Sequence, residues 1–279
     1  MARILTSIHG RKAGLAADGR NGAHKGKSEF IAPGGFISGE HGNQFHHPSP
    51  SKVVLFDDFL GDVLQDPWNA VETDTDGAQA VLAGGIGGVL RITTGNDDGN
   101  GVVLPDASGV TSYLNWQASN GGLAMQARVK MSRITDAYLY VGFTDLVTIE
   151  APVISAGSAE TITTNATDAV GFVFDTNFTT DTFHLVGVAT DVDATVQTLT
   201  SAPVADDYIT LRVEITSAGV ATFFINGSPV GTAMTGAVTA AADLTPIVLA
   251  SNQDGTTALT CDVDYIHVVM SRAADGDAT

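Results

Sequence analysis

The stretch that decides the fold class is DYITLRVEITSAGVATFFINGSPV, residues 207–230. Within it, Leu211–Thr216 alternates aliphatic residues with Arg, Glu and Thr, which predicts a strand with one buried side and one side facing solvent. Asn226-Gly227 separates two β-prone runs, and this dipeptide is the strongest short-range signal for a hairpin. The stretch therefore predicts antiparallel strands, each with one wet face.

Similar β-prone runs, broken by Gly, Asn and Asp, recur from residue 53 onward. No convincing long helix lies between them, which favours an antiparallel β-sandwich or jelly roll over parallel βαβ units. Residues 145–168, rich in Ala, Ser and Thr, are expected to form a long surface loop or a weak strand pair. The predicted strands are 53–59, 88–94, 123–134, 137–144, 169–175, 182–189, 207–216, 220–226, 246–251 and 259–271.

Charge divides the 279-residue chain, whose net charge is -18, into two unlike parts. Residues 1–52 contain seven basic and three acidic residues, a net +4, whereas the rest contains 6 basic and 28 acidic residues, a net -22. Pro48 and Pro50 mark the boundary. We therefore predict an extended basic N-terminal arm (1–52), a β-sandwich domain (53–272) and a disordered acidic C-terminal tail (273–279).

The arm contains too few apolar residues to fold by itself, because their burial would not offset its ordering entropy. It is either a flexible tail or a segment that orders on a partner with apolar pockets and negative charge, and its apolar clusters favour the partner. A second copy of the acidic body would meet this description, so we expect a homo-oligomer. The predicted partner-binding residues are Arg3, Ile4, Leu5, Ile8, Arg11, Lys12, Phe30, Ile31, Phe36 and Ile37.

Composition argues against several classes of protein. With 44% hydrophobic and 16% charged residues, the chain is not expected to be wholly disordered. The acidic body would repel phosphate backbones, so we expect no nucleic-acid partner. A single cysteine, Cys261, cannot form an intramolecular disulfide. No apolar run reaches about 18 residues, so no membrane span is expected, and residues 1–10 lack the apolar core of a secretion signal.

The order of strand patterns resembles a known fold. These patterns are GFVFD (171–175), FHLVGV (183–188), DYITLRVEI (207–215), GVATFFING (219–227) and VDYIHV (263–268), preceded by Phe56-Asp-Asp-Phe59 and Trp68. Together they resemble the concanavalin A-like lectin/glucanase jelly roll, as found in laminin-G-like domains, over about residues 53–272. The resemblance implies an all-β sandwich of two sheets. It does not imply one function, because the fold hosts glycosidases, lectins and inert structural modules.

The arm carries a second resemblance. RILTSIHGRK, residues 3–12, followed by Gly14-Leu15, resembles the start of tailed-phage virion proteins, in which an extended segment attaches a β-rich body to a capsid or a neighbouring subunit. This implies a non-enzymatic capsid decoration or head-attached protein, assembled in the host cytoplasm, with the major capsid protein or other virion subunits as partners. The alternatives are a carbohydrate-binding module of a phage fibre or host-recognition protein, and a glycosidase with a rearranged site.

The resemblance includes glucanases, so we compared this sequence with the arrangement of catalytic acids in those enzymes. Their acids lie on one strand in a Glu-x-Asp-x-x-Glu motif, and retaining glycosidases need two carboxylates about 5 Å apart. None of the chain's six Glu completes this motif. The stretch from Glu72 to Asp76 begins with the right alternation, but Gly77 follows, so we interpret it as an acidic turn. We predict no catalytic or cofactor-binding residue and expect no enzyme activity.

Acidic residues near glycine turns are the candidate metal ligands, because calcium takes 6–8 oxygen atoms. The candidates for a structural calcium are Asp74, Asp76, Asp97 and Asp98, and the competing interpretation is solvated acid. The pairs Asp191/Asp193 and Asp262/Asp264 also share strand faces, and we interpret them as solvated.

Trp116 is the candidate for stacking on a glycan, since it stands beside a predicted loop or strand end. The competing interpretation, which we favour, is that its indole packs inside the sandwich, as most Trp side chains do. His267 in the last predicted strand is interpreted as a satisfied sheet histidine.

Overall fold

The computed structural model describes residues 52–61, 68, 71–72, 76–82, 87–99, 101–104, 115–148, 150–157, 160–253 and 256–271. The predicted arm, up to residue 51, and residues 272–279 lie outside the described residues. The strand β1 begins at Lys52, which the sequence assigned to the arm, and the Lys52 ammonium donates to Ser271 Oγ at 2.7 Å.

The regular secondary structure of the described residues is almost entirely β-strand, with one short 3-10 helix at Ala118–Asn120. The strands are β1 (Lys52–Asp57), β2 (Val71–Glu72), β3 (Ala78–Val81), β4 (Leu90–Thr93), β5 (Gly101–Leu104), β6 (Leu123–Met131), β7 (Ala137–Thr144), β8 (Val153–Ser155), β9 (Ile162–Thr164), β10 (Ala169–Asp175), β11 (Phe183–Ala189), β12 (Val192–Asp193), β13 (Gln197–Thr198), β14 (Ile209–Ile215), β15 (Ala221–Ile225), β16 (Ser228–Met234), β17 (Thr245–Asn252) and β18 (Thr260–Ser271).

Two antiparallel sheets form the sandwich, which confirms the predicted fold class. Sheet A has the order β16-β15-β14-β6-β18-β4-β3, and β1 also pairs with β18. Sheet B has the order β12-β11-β10-β7-β17-β5-β2, and β13 also pairs with β11. The predicted hairpin at Asn226-Gly227 joins β15 to β16, and both turn residues have positive φ. Residues 145–168 contain the β8–β9 pair, as the strand-pair alternative predicted.

Sequence patterns missed the shortest strands. The strands β2, β3, β5, β12 and β13 have two to four residues each, too few for a repeating pattern. The predicted strand 123–134 ends at Met131, and the predicted strand 53–59 ends at Asp57. Errors of this size at strand ends leave the architecture unchanged.

Aromatic contacts join the two sheets through the core. Phe172 on β10 meets Phe223 on β15 edge-to-face, with ring centroids 5.4 Å apart, and meets Phe183 of its own sheet at 6.0 Å. In β6 of sheet A, every second residue is buried, so this strand has one core face and one outer face. Edge-to-face aromatic pairs add to the burial of apolar area, so this cluster stabilises the stacking of the sheets.

Sheet B differs from sheet A because both of its faces are buried. All residues of β7, β10 and β17 are buried, without the alternation seen in β6. Leu139 and Val141 face the core between the sheets, whereas Tyr138 and Tyr140 belong to a second apolar cluster on the outer side. Something must therefore cover the outer side of sheet B.

At the centre of sheet B, Gly142 and Gly171 are register partners on neighbouring strands. A Cβ atom added at Gly171 would lie 2.6 Å from the carbonyl oxygen of Val141 and 3.1 Å from Cζ of Tyr140. The Tyr140 ring occupies this space, and its hydroxyl donates to the carbonyl oxygen of Phe143 at 2.8 Å. An aromatic ring covering a strand glycine compensates for the missing side chain.

Gly171→Ala should lower the free energy of unfolding by about 1–3 kcal/mol, because the added methyl group meets rigid backbone. Urea denaturation measures the change. Where space exists, Gly→Ala has the opposite sign, about 0.4–1 kcal/mol of stabilisation. A stabilised variant would therefore contradict the packing described for Gly142 and Gly171. Ala80→Val, at an exposed position of β3, is the control and should change stability by less than about 0.5 kcal/mol.

Candidate functional site

The outer side of sheet B, here called the covered face, is filled by the chain itself. Its buried apolar side chains pack against the segment 146–166, which contains β8 and β9. The buried members of this cluster are Val103, Tyr138, Tyr140, Val153, Ala166, Ala169, Val173, Phe178, Val186, Val188, Ile247 and Leu249; the partly buried ones are Leu146, Ala151, Ile154, Ile162 and Val196. A ligand would have to displace this segment to reach the middle of sheet B.

A histidine–carboxylate pair lies on the covered face. His184 is 0% exposed; its Nδ1 lies 3.0 Å from the carbonyl oxygen of Thr182, and its Nε2 contacts the Glu160 carboxylate. Its ring stacks on Phe178, with centroids 3.8 Å apart. Burial alone would raise the pKa of Glu160, but hydrogen bonds from Thr180 and His184 outweigh burial and lower it. Both ring nitrogens are thus engaged, and the pair fastens the segment containing Glu160 to sheet B.

Two further polar contacts fasten the cover at β8. The Tyr138 hydroxyl donates to the carbonyl oxygen of Val153, and burial raises the pKa of Tyr138 well above its usual value, so the donor keeps its proton. The buried carboxylate of Asp175 accepts from the backbone N–H groups of Ser155 and Asn177, both at 2.8 Å. These buried groups are paired, as buried polar groups must be to avoid a desolvation cost.

The outer side of sheet A carries a line of flat side chains, here called the planar row. Its members are consecutive register partners on β15, β14, β6, β18 and β1: Phe224, Arg212, Gln126, His267 and Phe56. The Arg212 guanidinium carbon lies 4.0 Å from the Phe224 ring centroid, and the rings of Phe56 and His267 are 5.9 Å apart. Phe56 is 53% exposed, a large value for an aromatic side chain.

Tyrosines border the planar row. The Tyr265 hydroxyl accepts from the Gln126 amide at 2.6 Å, and its ring centroid lies 6.2 Å from that of Phe56. The Tyr208 ring lies 4.2 Å from the guanidinium carbon of Arg128, which is within cation–π range. The row and its border therefore offer aromatic faces beside amide, guanidinium and hydroxyl groups.

Basic residues of the described chain concentrate on this same side. Strand alternation directs five of the six described Lys and Arg residues outward on sheet A; Arg133 is the exception. Three carboxylates pair with four of these five cations: Asp262 with Arg91 and Lys130, Asp264 with Arg128, and Glu214 with Arg212. These carboxylates offset three of the five positive charges, so the outer side of sheet A is much less acidic than the protein as a whole.

The pairing of Asp262 corrects its interpretation as a solvated acid. Its side chain is 2% exposed, with Arg91 at 2.6 Å and Lys130 at 3.1 Å. Burial alone would raise the pKa of Asp262, but these two cations outweigh burial and hold its pKa below the usual value. The sequence missed this because both cations lie on other strands: Arg91 of β4 and Lys130 of β6 are the cross-strand register partners of Asp262.

The remaining predicted site residues fall in scattered places. Asp76, Asp97 and Asp98 are exposed, and no group of three or more potential ligand residues suited to a metal occurs in the described part of the chain. Asp74 and the partner-binding residues of the arm, from Arg3 to Ile37, lie outside the described residues. Glu72 belongs to β2, and Asp76 lies in a turn.

Trp116 is buried, with 4% of its surface exposed, so the interpretation that it packs inside the sandwich is confirmed. Its backbone exchanges two hydrogen bonds with Leu244, each at 2.9 Å. Its indole offers no open face to a sugar ring, so its candidacy for glycan stacking was wrong. Among the described residues, Phe56 is an exposed aromatic residue, and the sequence analysis used it for the fold and not as a binding residue.

Comparison with known proteins identifies the fold. No family model and no curated protein sequence matches the chain. A solved structure from Shewanella oneidensis MR-1, of unknown function, is 11% identical, with a TM-score of 0.50, over 83% of this chain and 91% of its own. A β-glucanase from Bacillus licheniformis is 12% identical, with a TM-score of 0.50, over 78% and 98%. The carbohydrate recognition domain of Emp47p is 13% identical, with a TM-score of 0.50, over 79% and 95%.

At such identities the likeness shows the fold alone. The chain has the concanavalin A-like lectin/glucanase jelly-roll fold, as its strand patterns predicted. Among the described residues, no helix has the length and apolar character needed to cross a bilayer.

Asp262→Asn should lower the free energy of unfolding by about 2 kcal/mol at neutral pH, because it removes the charge that pairs with Arg91 and Lys130. The folded-state pKa of Asp262 lies below its unfolded value of about 3.9, so its contribution is complete above that pH and is lost as pH falls through the folded pKa. The difference between variant and wild type should therefore shrink in acid.

Urea denaturation at several pH values between about 7 and about 2 measures this difference. A constant difference over the whole range would contradict the ionic origin of the stabilisation. Asp97→Asn, at an exposed position, is the matched control and should stay within about 0.5 kcal/mol of wild type at neutral pH.

Proposed function

We propose that the protein is a non-enzymatic structural subunit, with the β-sandwich displayed on a particle and the arm of residues 1–52 as its anchor. The particle is a tailed-phage virion, and the subunit is a capsid decoration or head-attached protein assembled in the host cytoplasm. The observation that carries this proposal is the opposite charge of the two parts, +4 for the arm and -22 for the remainder.

The organisation of the body supports an anchoring role for the arm. The described residues between 52 and 271 supply both sheets, the core between them and the cover of sheet B. The arm has few apolar residues and a charge that attracts acidic surfaces, including those of sister subunits. An arm of this composition gains order from a partner, and a protein shell is a partner that offers grooves at every subunit.

The covered face supports a role without catalysis. Its histidine–carboxylate pair, His184 and Glu160, is stacked under Phe178 and bonded at both ring nitrogens. A general base must lie within hydrogen-bond distance of the proton that it takes from a substrate. Both nitrogens of the His184 ring already contact groups of the protein itself, namely Thr182 and Glu160. The cover therefore contributes stability to the displayed body.

Deletion of residues 1–51 should leave a body that unfolds cooperatively but no longer joins the particle, because the anchor is gone. The fraction of tagged chain that sediments with gradient-purified virions measures incorporation, and immunogold microscopy should locate the full chain on virion heads. Deletion of residues 272–279, which removes two Asp and one Arg and so changes the net charge by only one unit, is the control at the other terminus and should leave incorporation unchanged. Equal incorporation of the chain without its arm would contradict the proposal.

Carbohydrate binding is the second candidate function, in a fibre or host-recognition protein. The observation that favours it is the planar row on sheet A, where flat side chains from five strands lie side by side. This role and the anchoring role use different parts of the chain, so one protein can have both.

A further inference from the structure

The planar row has the dimensions of an extended ligand. It crosses five neighbouring strands, and strands lie about 4.8 Å apart, so its ends, Phe224 and Phe56, are separated by about 19 Å. Both ends are aromatic, whereas Arg212, Gln126 and His267 between them carry nitrogen atoms. A ligand that contacts the whole row must be long and flat, and must form both apolar contacts and hydrogen bonds.

Sugar chains combine these properties. A pyranose ring presents C–H groups on its flat face, which favours contact with the electron-rich face of an aromatic ring. Hydroxyl groups at the rim of each ring can bond to amide, guanidinium and phenol groups, which Gln126, Arg212 and Tyr265 supply here. Binding sites commonly pair an apolar surface with a few such polar groups.

The charges at the planar row indicate whether an uncharged or an acidic sugar chain would bind there. Arg212 is paired with Glu214 at 3.1 Å, and burial lowers the pKa of His267, so its imidazole is neutral at pH 7. A polyanion would meet this nearly neutral row on a body of net charge -22 and would be repelled. The electrostatics therefore favour an uncharged chain over an acidic polysaccharide or a nucleic acid.

We infer that the planar row of Phe224, Arg212, Gln126, His267 and Phe56 is a binding site for an extended, uncharged polysaccharide. This inference rests on the second proposed function and does not depend on the arm or the virion. The polysaccharide contacts the outer side of sheet A, opposite the covered side of the sandwich.

Affinity electrophoresis of the full chain in native gels tests the inference. The chain has a net charge of -18 and migrates to the anode, whereas an uncharged polysaccharide in the gel stays in place and retards a protein that binds it. The probes are hydroxyethylcellulose, laminarin and dextran, each over a range of concentrations. We expect retardation by at least one of them, and no binding of polygalacturonate, the acidic probe, in titration calorimetry.

Variants at Phe56 separate stacking from simple burial of apolar surface. Phe56→Leu keeps an apolar side chain but loses the flat ring, and should weaken binding about three- to ten-fold. Phe56→Tyr keeps the ring and should bind as the wild type does. Val192→Ala, at an exposed position of sheet B, is the control and should also bind normally. Thermal unfolding of each variant verifies that it is folded.

Several outcomes would overturn the inference. No retardation by any of the three polysaccharides would do so, as would equal binding by Phe56→Leu and the wild type, or tighter binding of polygalacturonate. If Phe56→Leu changed the sedimentation coefficient of the protein instead, the row would be a contact between copies. If a polysaccharide retarded the protein only after deletion of residues 1–51, the inference would be wrong for the full chain, because the site would not be open in it. Failure here leaves the anchoring proposal intact, because incorporation into particles is measured separately.

Discussion

Sheet B has apolar side chains on both of its faces, and this constraint governs the rest of the structure. One face meets sheet A and forms the main core, with Phe172 in contact with Phe223. The other face would expose a large apolar surface if it were left bare, and such surfaces promote association or aggregation. The chain meets the constraint by folding residues 146–166 over the sheet, so that a second apolar cluster forms there.

The cover determines which side of the sandwich is available. Polar contacts hold it in place: Tyr138 bonds to Val153, Asp175 bonds to Ser155, and His184 bonds to Glu160. Since these groups lie on different strands of sheet B, the cover is fixed at several points. Sheet A has no such second cluster in the described residues, and its outer side carries polar and aromatic side chains instead. The two sheets therefore differ in their outer sides: that of sheet B is buried under the cover, and that of sheet A carries polar and aromatic side chains.

Prediction from sequence succeeded where a pattern was local and repeated. Alternation in Leu211–Thr216 and the Asn226-Gly227 turn gave strands and a hairpin that the structure contains. Prediction failed for five strands of two to four residues, β2, β3, β5, β12 and β13, which are held by their neighbours and not by their own pattern. It also failed for Asp262, since the residue follows an ordinary alternation and only its cross-strand partners Arg91 and Lys130 distinguish it from a solvated acid.

The candidate site also has features that the sequence predicted and features that it did not. Arg212 sits on a strand whose wet face was readable from alternation, yet the ends of the planar row, Phe56 and Phe224, are separated by most of the body in sequence. Their alignment depends on the register of four strand pairs, which hydrogen bonds between distant segments fix. The sequence by itself thus determined the fold class, the turn at Asn226 and the opposite charges of arm and body, because these follow from neighbouring residues and from composition. The tertiary structure alone decided which side of the sandwich is covered, which acid is buried and which flat side chains form a row, because these depend on contacts between residues far apart in the chain.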